Sequence, residues 1–312
     1  MIAFVFPGQG SQTIGMGSDF YNEFPIARQT FEEASDTLKF DLAKLCFEGD
    51  LEELSLTANA QPALLTASIA ALRVLEQETD LTPSFVAGHS LGEYSAIVSS
   101  GAVSFNDAVY TVRKRGEFMQ SAVPVGIGSM AAIIGLSKNQ VVKVCEENSD
   151  DENVVSPANF NSPQQIVISG HKAAVEKVSK LLKEEGAKRV VPLTVSAPFH
   201  CSLMNKAAEE LKEVLDSINK SEMKVSVVSN VDAISNADHT AITDLLFRQV
   251  VMPVRWYESV EYMKNHNIKR FIEIGPGNVL TGLIRRTIKD VELNNLENLD
   301  HLNHINKNEN RS

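Results

Sequence analysis

Phe85-Val86-Ala87-Gly88-His89-Ser90-Leu91-Gly92 is the stretch whose reading decides the fold. Phe85-Val86-Ala87 is a short apolar run of buried-strand type, and the apolar spacing from Leu91 to Val98 predicts a helix. Between them stands Gly-x-Ser-x-Gly, so the order is strand, sharp turn, helix, the setting of a nucleophile elbow. The glycines have a mechanical reason, because the turn presses neighbouring backbone against the serine and a side chain there would clash. Ser90 Oγ is then lifted off the sheet, and the new helix points free N–H groups toward developing negative charge.

Outward from this elbow, strands alternate with helices. Residues 2–6 read as a strand that ends in Pro7-Gly8-Gln9-Gly10-Ser11-Gln12. That loop lacks the third small residue of a dinucleotide fingerprint, since Thr13 follows. Residues 24–38 and 60–77 carry helical patterns, the second with Asn59 as cap and Pro62 in the first turn. Ser104 with Asp107 opens a further helix in the manner of a capping box. From 127 to 195 the rhythm is self-contained: strand 127–134, helix 138–147, strands 154–160 and 165–169, helix 172–185, strand 189–195. This βαββαβ order is ferredoxin-like. It predicts a small subdomain at 126–195 inserted into a large one made of 1–125 and 196–312. In the large part, strands at 225–229 and 270–274 and helices at 203–216, 241–250 and 256–265 continue the alternation, which implies a mainly parallel sheet covered on both faces. The asparagine-rich tail from about 294 is expected to fray.

A serine hydroxyl needs a base to take its proton. Of the seven histidines, His89 is a chain neighbour that cannot easily turn toward Ser90. His171, His239, His266, His301 and His304 sit at a helix start, in a polar loop, at a helix end and in the tail. His200 follows a predicted strand, bends at Ala197-Pro198-Phe199 and precedes a helix, which places it at the carboxyl edge where α/β sites form. It is the candidate base. Cys201 beside it diverges in direction and is expected to pack.

Phe6-Pro7-Gly8-Gln9-Gly10-Ser11-Gln12, Gly88-His89-Ser90-Leu91-Gly92-Glu93-Tyr94 and Pro198-Phe199-His200 together resemble the malonyl-CoA:acyl carrier protein transacylases of bacterial fatty acid synthesis. Gln61-Pro62-Ala63, Arg115-Gly116, Asn159-Phe160-Asn161-Ser162-Pro163 and Gly275-Pro276-Gly277 extend the likeness from residue 4 to about 286. The resemblance implies an α/β-hydrolase-like large subdomain with a ferredoxin-like small one, Ser90 as nucleophile and His200 as base. It implies an oxyanion hole from the amides of Gln9 and Leu91, and a backbone carbonyl at Gln249 orienting His200 in place of an aspartate. Arg115 matches the substrate arginine, whose planar fork suits the free carboxylate of malonyl. Phe199 stands where extender-unit choice varies, and its ring is expected to crowd an α-methyl branch. The implied substrates are malonyl-CoA and acyl carrier protein, with CoA thioester as substrate and no cofactor. A serine esterase or thioesterase using the same elbow is the alternative.

Composition narrows the classes further. Hydrophobic residues at 43% and charged ones at 22% exclude a mainly disordered chain, and no apolar run approaches the roughly 20 residues of a membrane span. The first apolar run is too short for a signal peptide. Cys46, Cys145 and Cys201 lie far apart without Cys-x-x-Cys spacing, which points to reduced thiols in a cytoplasmic compartment and to no metal site. A net charge of −11 argues against nucleic acid as partner. An acidic carrier protein would also be repelled, so docking needs local basic surface, for which Lys188-Arg189 and Arg285-Arg286 are the candidates, set on opposite lips of the cleft.

Overall fold

A computed structural model describes residues 1–124, 126–195 and 197–309. In chain order its strands are β1 (Ile2–Phe6), β2 (Phe85–Gly88), β3 (Gly128–Ile134), β4 (Val155–Ser162), β5 (Gln165–His171), β6 (Arg189–Pro192), β7 (Ser226–Val228), β8 (Ser235–Asn236), β9 (Arg270–Ile274) and β10 (Glu292–Leu296). They form two sheets. The larger has the order β10-β9-β1-β2-β7-β8, parallel throughout except for the edge strand β8. Its central strands are near-continuous apolar runs because helices cover both faces. The chain moves from β1 to β2 on one side and later returns to β9 on the other, so β1 lies at the switch point where open α/β sheets bind ligands.

The smaller sheet has the order β4-β5-β3-β6, all antiparallel. With the helices Lys138–Glu147 and Lys172–Glu184 it makes the ferredoxin-like βαββαβ unit. Alternate side chains of β3 and β5 part to opposite faces. Ala131, Ile133, Ile166 and Ile168 pack with Val141, Val175 and Val178 of the two helices. Met130, Ala132 and Val167 join the core of the large unit instead. The two units are also sewn through backbone: Phe160 N–H donates to the Val254 carbonyl at 2.8 Å and Val254 N–H to that of Ala158 at 2.9 Å. The domain limits set at 125/126 and 195/196 involve Val125 and Ser196, which lie outside the described residues.

Two expectations need correction. Asn59 is not a cap, since the helix Thr57–Glu78 starts three residues before 60, with Leu56 as N-cap and Pro62 in its interior. Proline cannot donate to the carbonyl of Ala58, four residues back. Arg113 Nη1 takes that carbonyl instead, at 3.0 Å. The tail is not frayed either: β10 pairs in parallel with β9, and the helix Leu299–Glu309 follows. Its asparagines are partners and not solvent markers. Asn294 Oδ1 accepts from Arg270 Nε at 2.8 Å, and Asn295 Nδ2 donates to Glu273 at 3.1 Å. Leu296, Leu302 and Ile305 enter the main core. The helices Ser18–Glu23, Leu42–Glu48 and Leu51–Ser55 and the edge strand β8 have no counterpart in the sequence reading, and at element ends β6 stops at Pro192 while residues 193–195 continue as non-strand chain.

Ile305→Ala should therefore lower the unfolding free energy by about 2–5 kcal/mol, the usual cost of emptying a buried isoleucine site. Urea titration measures it, and a change below about 0.5 kcal/mol, the scale of a neutral surface substitution, would mean that the terminal helix is not part of the core.

Candidate active site

Phe6 and Gly88 are in register at the carboxyl ends of β1 and β2, so the loops that follow emerge side by side. His89 N–H donates to the Phe6 carbonyl at 3.1 Å and ties them. Ser90 sits at φ +51°, in the left-handed region that a non-glycine residue occupies at a cost. Contact on both sides holds it there. A Cβ on Gly88 would lie 1.9 Å from the backbone of Gly92, and one on Gly92 would lie 2.1 Å from the Phe6 carbonyl oxygen. Glycine is the one residue that lets the strand, the turn and the helix Gly92–Ser99 approach this closely. From the turn after β7, buried Asn230 clasps the elbow: Oδ1 accepts from Ser90 N–H at 2.7 Å and Nδ2 donates to the Gly88 carbonyl at 2.6 Å.

His200 Nε2 lies 2.8 Å from Ser90 Oγ, and Nδ1 lies 2.8 Å from the main-chain oxygen of Gln249. A carbonyl can only accept, so Nδ1 carries the proton and Nε2 faces the serine with its lone pair. The Gln249 carbonyl is available for a local reason. It belongs to the last turn of the helix Ile242–Val251, where its i+4 partner would be Pro253, which has no N–H. Burial, and then the charge of Arg115, push the imidazole down to about 3, while the Gln249 bond pulls the other way. The ring is neutral at physiological pH.

Arg115 reaches the same serine. Its Nη2 is 3.1 Å from Ser90 Oγ and 3.0 Å from Gln249 Oε1, its Nη1 is 2.8 Å from Gln61 Oε1, and its guanidinium carbon lies 5.5 Å from the centre of the Tyr94 ring. Nε has no partner among the described residues. Burial lowers the proton affinity of this guanidinium, though it remains a cation at any working pH. Arg115 is thus far from a solvated basic face; its neighbours Arg113 and Lys114 occupy that face, paired with Glu117.

The three groups open onto a cavity of about 390 Å³. Gln9, Leu91 and Phe199 line it from the large unit, Met130 and Asn159 from the small one, and residues 193–195 close one side. Neither the Gln9 nor the Leu91 amide meets a protein acceptor among the described residues, so both are available to a ligand oxygen. His89 turns away, its Nε2 2.7 Å from Asn161 Oδ1. Cys201 is buried, with Sγ donating to the Pro198 carbonyl at 3.1 Å.

Residues 3–310 match the model of the acyl transferase domain. The chain belongs to that family. It is 54% identical over 285 residues to the malonyl CoA-acyl carrier protein transacylase of Bacillus subtilis strain 168, covering 91% of this chain and 90% of the relative. The enzyme of the same name from Escherichia coli K12 is 52% identical over 286 residues, with 92% of both chains covered. The structure of an acyl carrier protein S-malonyltransferase from Vibrio cholerae superposes with a TM-score of 0.95 at 46% identity, over 97% of this chain and 99% of that one. A malonyl-transacylase in complex with the acyl carrier protein of a type II PKS superposes with a TM-score of 0.95 at 45% identity, over 98% and 99%.

Two parts of this acyl transferase site escaped the sequence. Asn230 carried a faint signal, a polar residue just past a strand that ends at the carboxyl edge of the sheet. Glu93 stood in the elbow motif itself, yet nothing in the linear chain says that its carboxylate is buried beneath the nucleophile. The docking candidates fall elsewhere than expected. Ile134 of β3 is in register with both Gln165 of β5 and Arg189 of β6, and Arg286 Nη1 donates to Gln165 Oε1 at 3.1 Å. Lys188-Arg189 and Arg285-Arg286 therefore converge on one end of the small sheet. They do not flank the cavity on opposite lips.

Proposed function

We propose that the chain transfers a malonyl group from malonyl-CoA to the phosphopantetheine thiol of an acyl carrier protein, through a malonyl ester on Ser90. One observation carries this reading: a nucleophile, an unprotonated imidazole nitrogen and a buried guanidinium meet at a single oxygen, Ser90 Oγ. The imidazole supplies the base, and the guanidinium supplies what an acyl group with a free carboxylate requires. In the first half-reaction Ser90 Oγ bonds to the thioester carbon as its proton passes to His200 Nε2. The carbonyl oxygen takes the electron pair and is met by the amides of Gln9 and Leu91. Collapse breaks the C–S bond, and the His200 proton leaves on the CoA thiol. In the second half the pantetheine thiol gives its proton to His200 as its sulfur bonds to the ester carbon, and collapse breaks the C–O bond so that Ser90 Oγ leaves with the His200 proton.

On this reading the CoA thioester is a substrate and the chemistry is done by the side chains and backbone of this chain. Arg115 turns from Gln61 and Ser90 to hold the malonyl carboxylate. That pairing also offsets the positive charge that weakens His200, so the proper substrate strengthens its own base. The ring of Phe199, buried at the cavity wall, leaves little room for an α-methyl branch. A serine hydrolase reading is weaker because His200 is oriented by a carbonyl, and the nearby carboxylate of Glu93 bonds to Gln249 and Asn230 instead. The supply of extender units for fatty acid synthesis follows from the reaction. Among the described residues no helix is long and apolar enough to cross a membrane.

The basic strip suits the carrier protein. Arg189 is four residues before Leu193 of the cavity wall, about 13 Å along extended chain. A prosthetic arm can bridge that gap while its protein rests on the strip.

Brief exposure to malonyl-CoA followed by mass spectrometry should find one malonyl group on Ser90. Ser90→Ala should carry none, and His200→Ala should acquire it roughly two to four orders of magnitude more slowly. Label on another side chain would sink the assignment. Arg115→Ala should lose malonyl transfer and shift preference toward acetyl-CoA, with Arg115→Lys recovering little because an ammonium lacks the fork; an unchanged preference would leave Arg115 without a substrate role. Finally, Lys188→Glu with Arg189→Glu, or Arg285→Glu with Arg286→Glu, should raise the KM for carrier protein and flatten its salt dependence while loading from malonyl-CoA stays near normal. Equal loss in both half-reactions would point to the fold or to CoA binding.

A further inference from the structure

Glu93 is a buried carboxylate that the mechanism above does not use. It lies in the first turn of the helix Gly92–Ser99 and is 1% exposed. Oε2 accepts from Gln249 Nε2 at 2.6 Å, and the two oxygens share the backbone N–H of Asn230 at 3.3 Å each. Each of these neighbours reaches the reacting groups. Gln249 holds His200 through its carbonyl, Arg115 through Oε1 and the Ser90 carbonyl through Nε2, the last at 2.9 Å. Asn230 holds the Ser90 amide.

We propose that Glu93 is a positioning residue for acyl transfer, acting through Gln249 to keep the base and the substrate arginine aligned on Ser90. The proposal rests on the reading of Ser90 as the acylated residue. Its chemistry is that of a three-way junction. A glutamine amide can turn by half a rotation and exchange its oxygen for its nitrogen. With Nε2 facing Arg115 the pair would be donor against donor. An acceptor-only carboxylate at 93 excludes that orientation, because Oε2 demands Nε2–H and so leaves Oε1 to Arg115. The backbone segment is then pinned from below while its carbonyl holds His200.

The arrangement needs the ionised form, since every group that contacts Glu93 is a donor. Burial raises its proton affinity, to a pKa of about 7 against 4.5 for the free side chain. Around it stand Arg115 from the helix Phe105–Ser121, which favours ionisation, and Asp232 from the turn after β7, which opposes it. Tyr94 is the neighbour on its own helix, and burial keeps that phenol protonated. β1, β2 and β7 contain no titratable side chain, and the packed helix Thr57–Glu78 carries Arg73, Glu76 and Glu78 in its last turns, with Arg73 paired to Glu33. The sign follows: as pH falls through about 7, Glu93 gains a proton, presents O–H to a donor and releases Gln249. His200, held near 3, stays neutral over that interval and produces no such limb.

The test is rapid-quench labelling of Ser90 by malonyl-N-acetylcysteamine thioester, which has no phosphate to titrate, between about pH 5 and pH 9. Wild type should show a loss of labelling rate toward acid, centred near neutrality. Glu93→Gln should be slower by roughly tenfold or more at every pH, in kcat more than in KM, and should lack the limb. Glu93→Asp keeps the charge and should keep the limb at reduced rate. A folded Glu93→Gln protein with wild-type kcat, or with the wild-type limb intact, overturns the proposal. If the glutamine variant does not fold, wild type decides: a flat profile overturns it and an acid limb near neutrality that persists in Glu93→Asp supports it. Ser90→Ala runs alongside, and label that survives there refutes the reading of Ser90 and leaves the contacts of Glu93 as they are.

Discussion

The bond from His200 Nδ1 to the Gln249 carbonyl sets the terms for the rest of the site. It fixes which ring nitrogen faces the serine without bringing a negative charge into the interior. An aspartate there would stabilise imidazolium by full charge, and a carbonyl offers only a dipole. Burial keeps His200 a weak base in the free protein, Arg115 beside it weakens it more, and the dipole of the carbonyl opposes both. On the proposed reading the arrangement suits a transferase whose substrate brings its own carboxylate, because the charge missing beside the imidazole arrives with the acyl group. That a carbonyl is free at position 249 traces to a covalent detail, the proline four residues later.

A second constraint is close approach of backbone. β1, β2 and the helix after Ser90 meet so tightly that Gly88 and Gly92 admit no side chain. The cost of the left-handed serine is offset by the side chain of Asn230, which bonds to the serine's own amide and to the carbonyl of Gly88 before it. Beneath the turn lies a polar layer of Glu93, Asn230, Gln249 and Arg115, buried yet largely satisfied internally. Such a layer is stable only if its members are paired, and paired it holds each one to a single orientation. The small unit completes the cavity from above, since the face of its sheet that carries Met130 and Ala132 turns toward the large core while the other face is sealed by its own helices.

Much of this was legible in the linear chain. The elbow and the βαββαβ insert each rest on local pattern, and local pattern is what alternation and turn chemistry record; the place of His200 does not, since the strand before it ends at Pro192 in the antiparallel small sheet. The misreadings share a cause as well. Asn294 and Asn295 read as solvent-facing because asparagine usually is, yet Arg270 and Glu273 supply them with buried partners from β9. Pro62 reads as a first-turn residue because proline is tolerated there, whereas Arg113 from another helix satisfies the carbonyl it orphans. Basic pairs nearly a hundred residues apart gave no sign that they share one end of one sheet.

The sequence by itself determined most of the elements, the elbow that presents Ser90 and the candidacy of His200, because glycine spacing, apolar period and chemical type act within a few residues of chain. The tertiary structure alone decided which carboxylate lies under the nucleophile, which asparagine clasps it and how one guanidinium is divided among Gln61, Gln249 and Ser90. These rest on contacts between residues separated by 25 to 156 positions. No local preference encodes them, because the energy that orients a buried polar group comes from whichever partner the fold delivers to it.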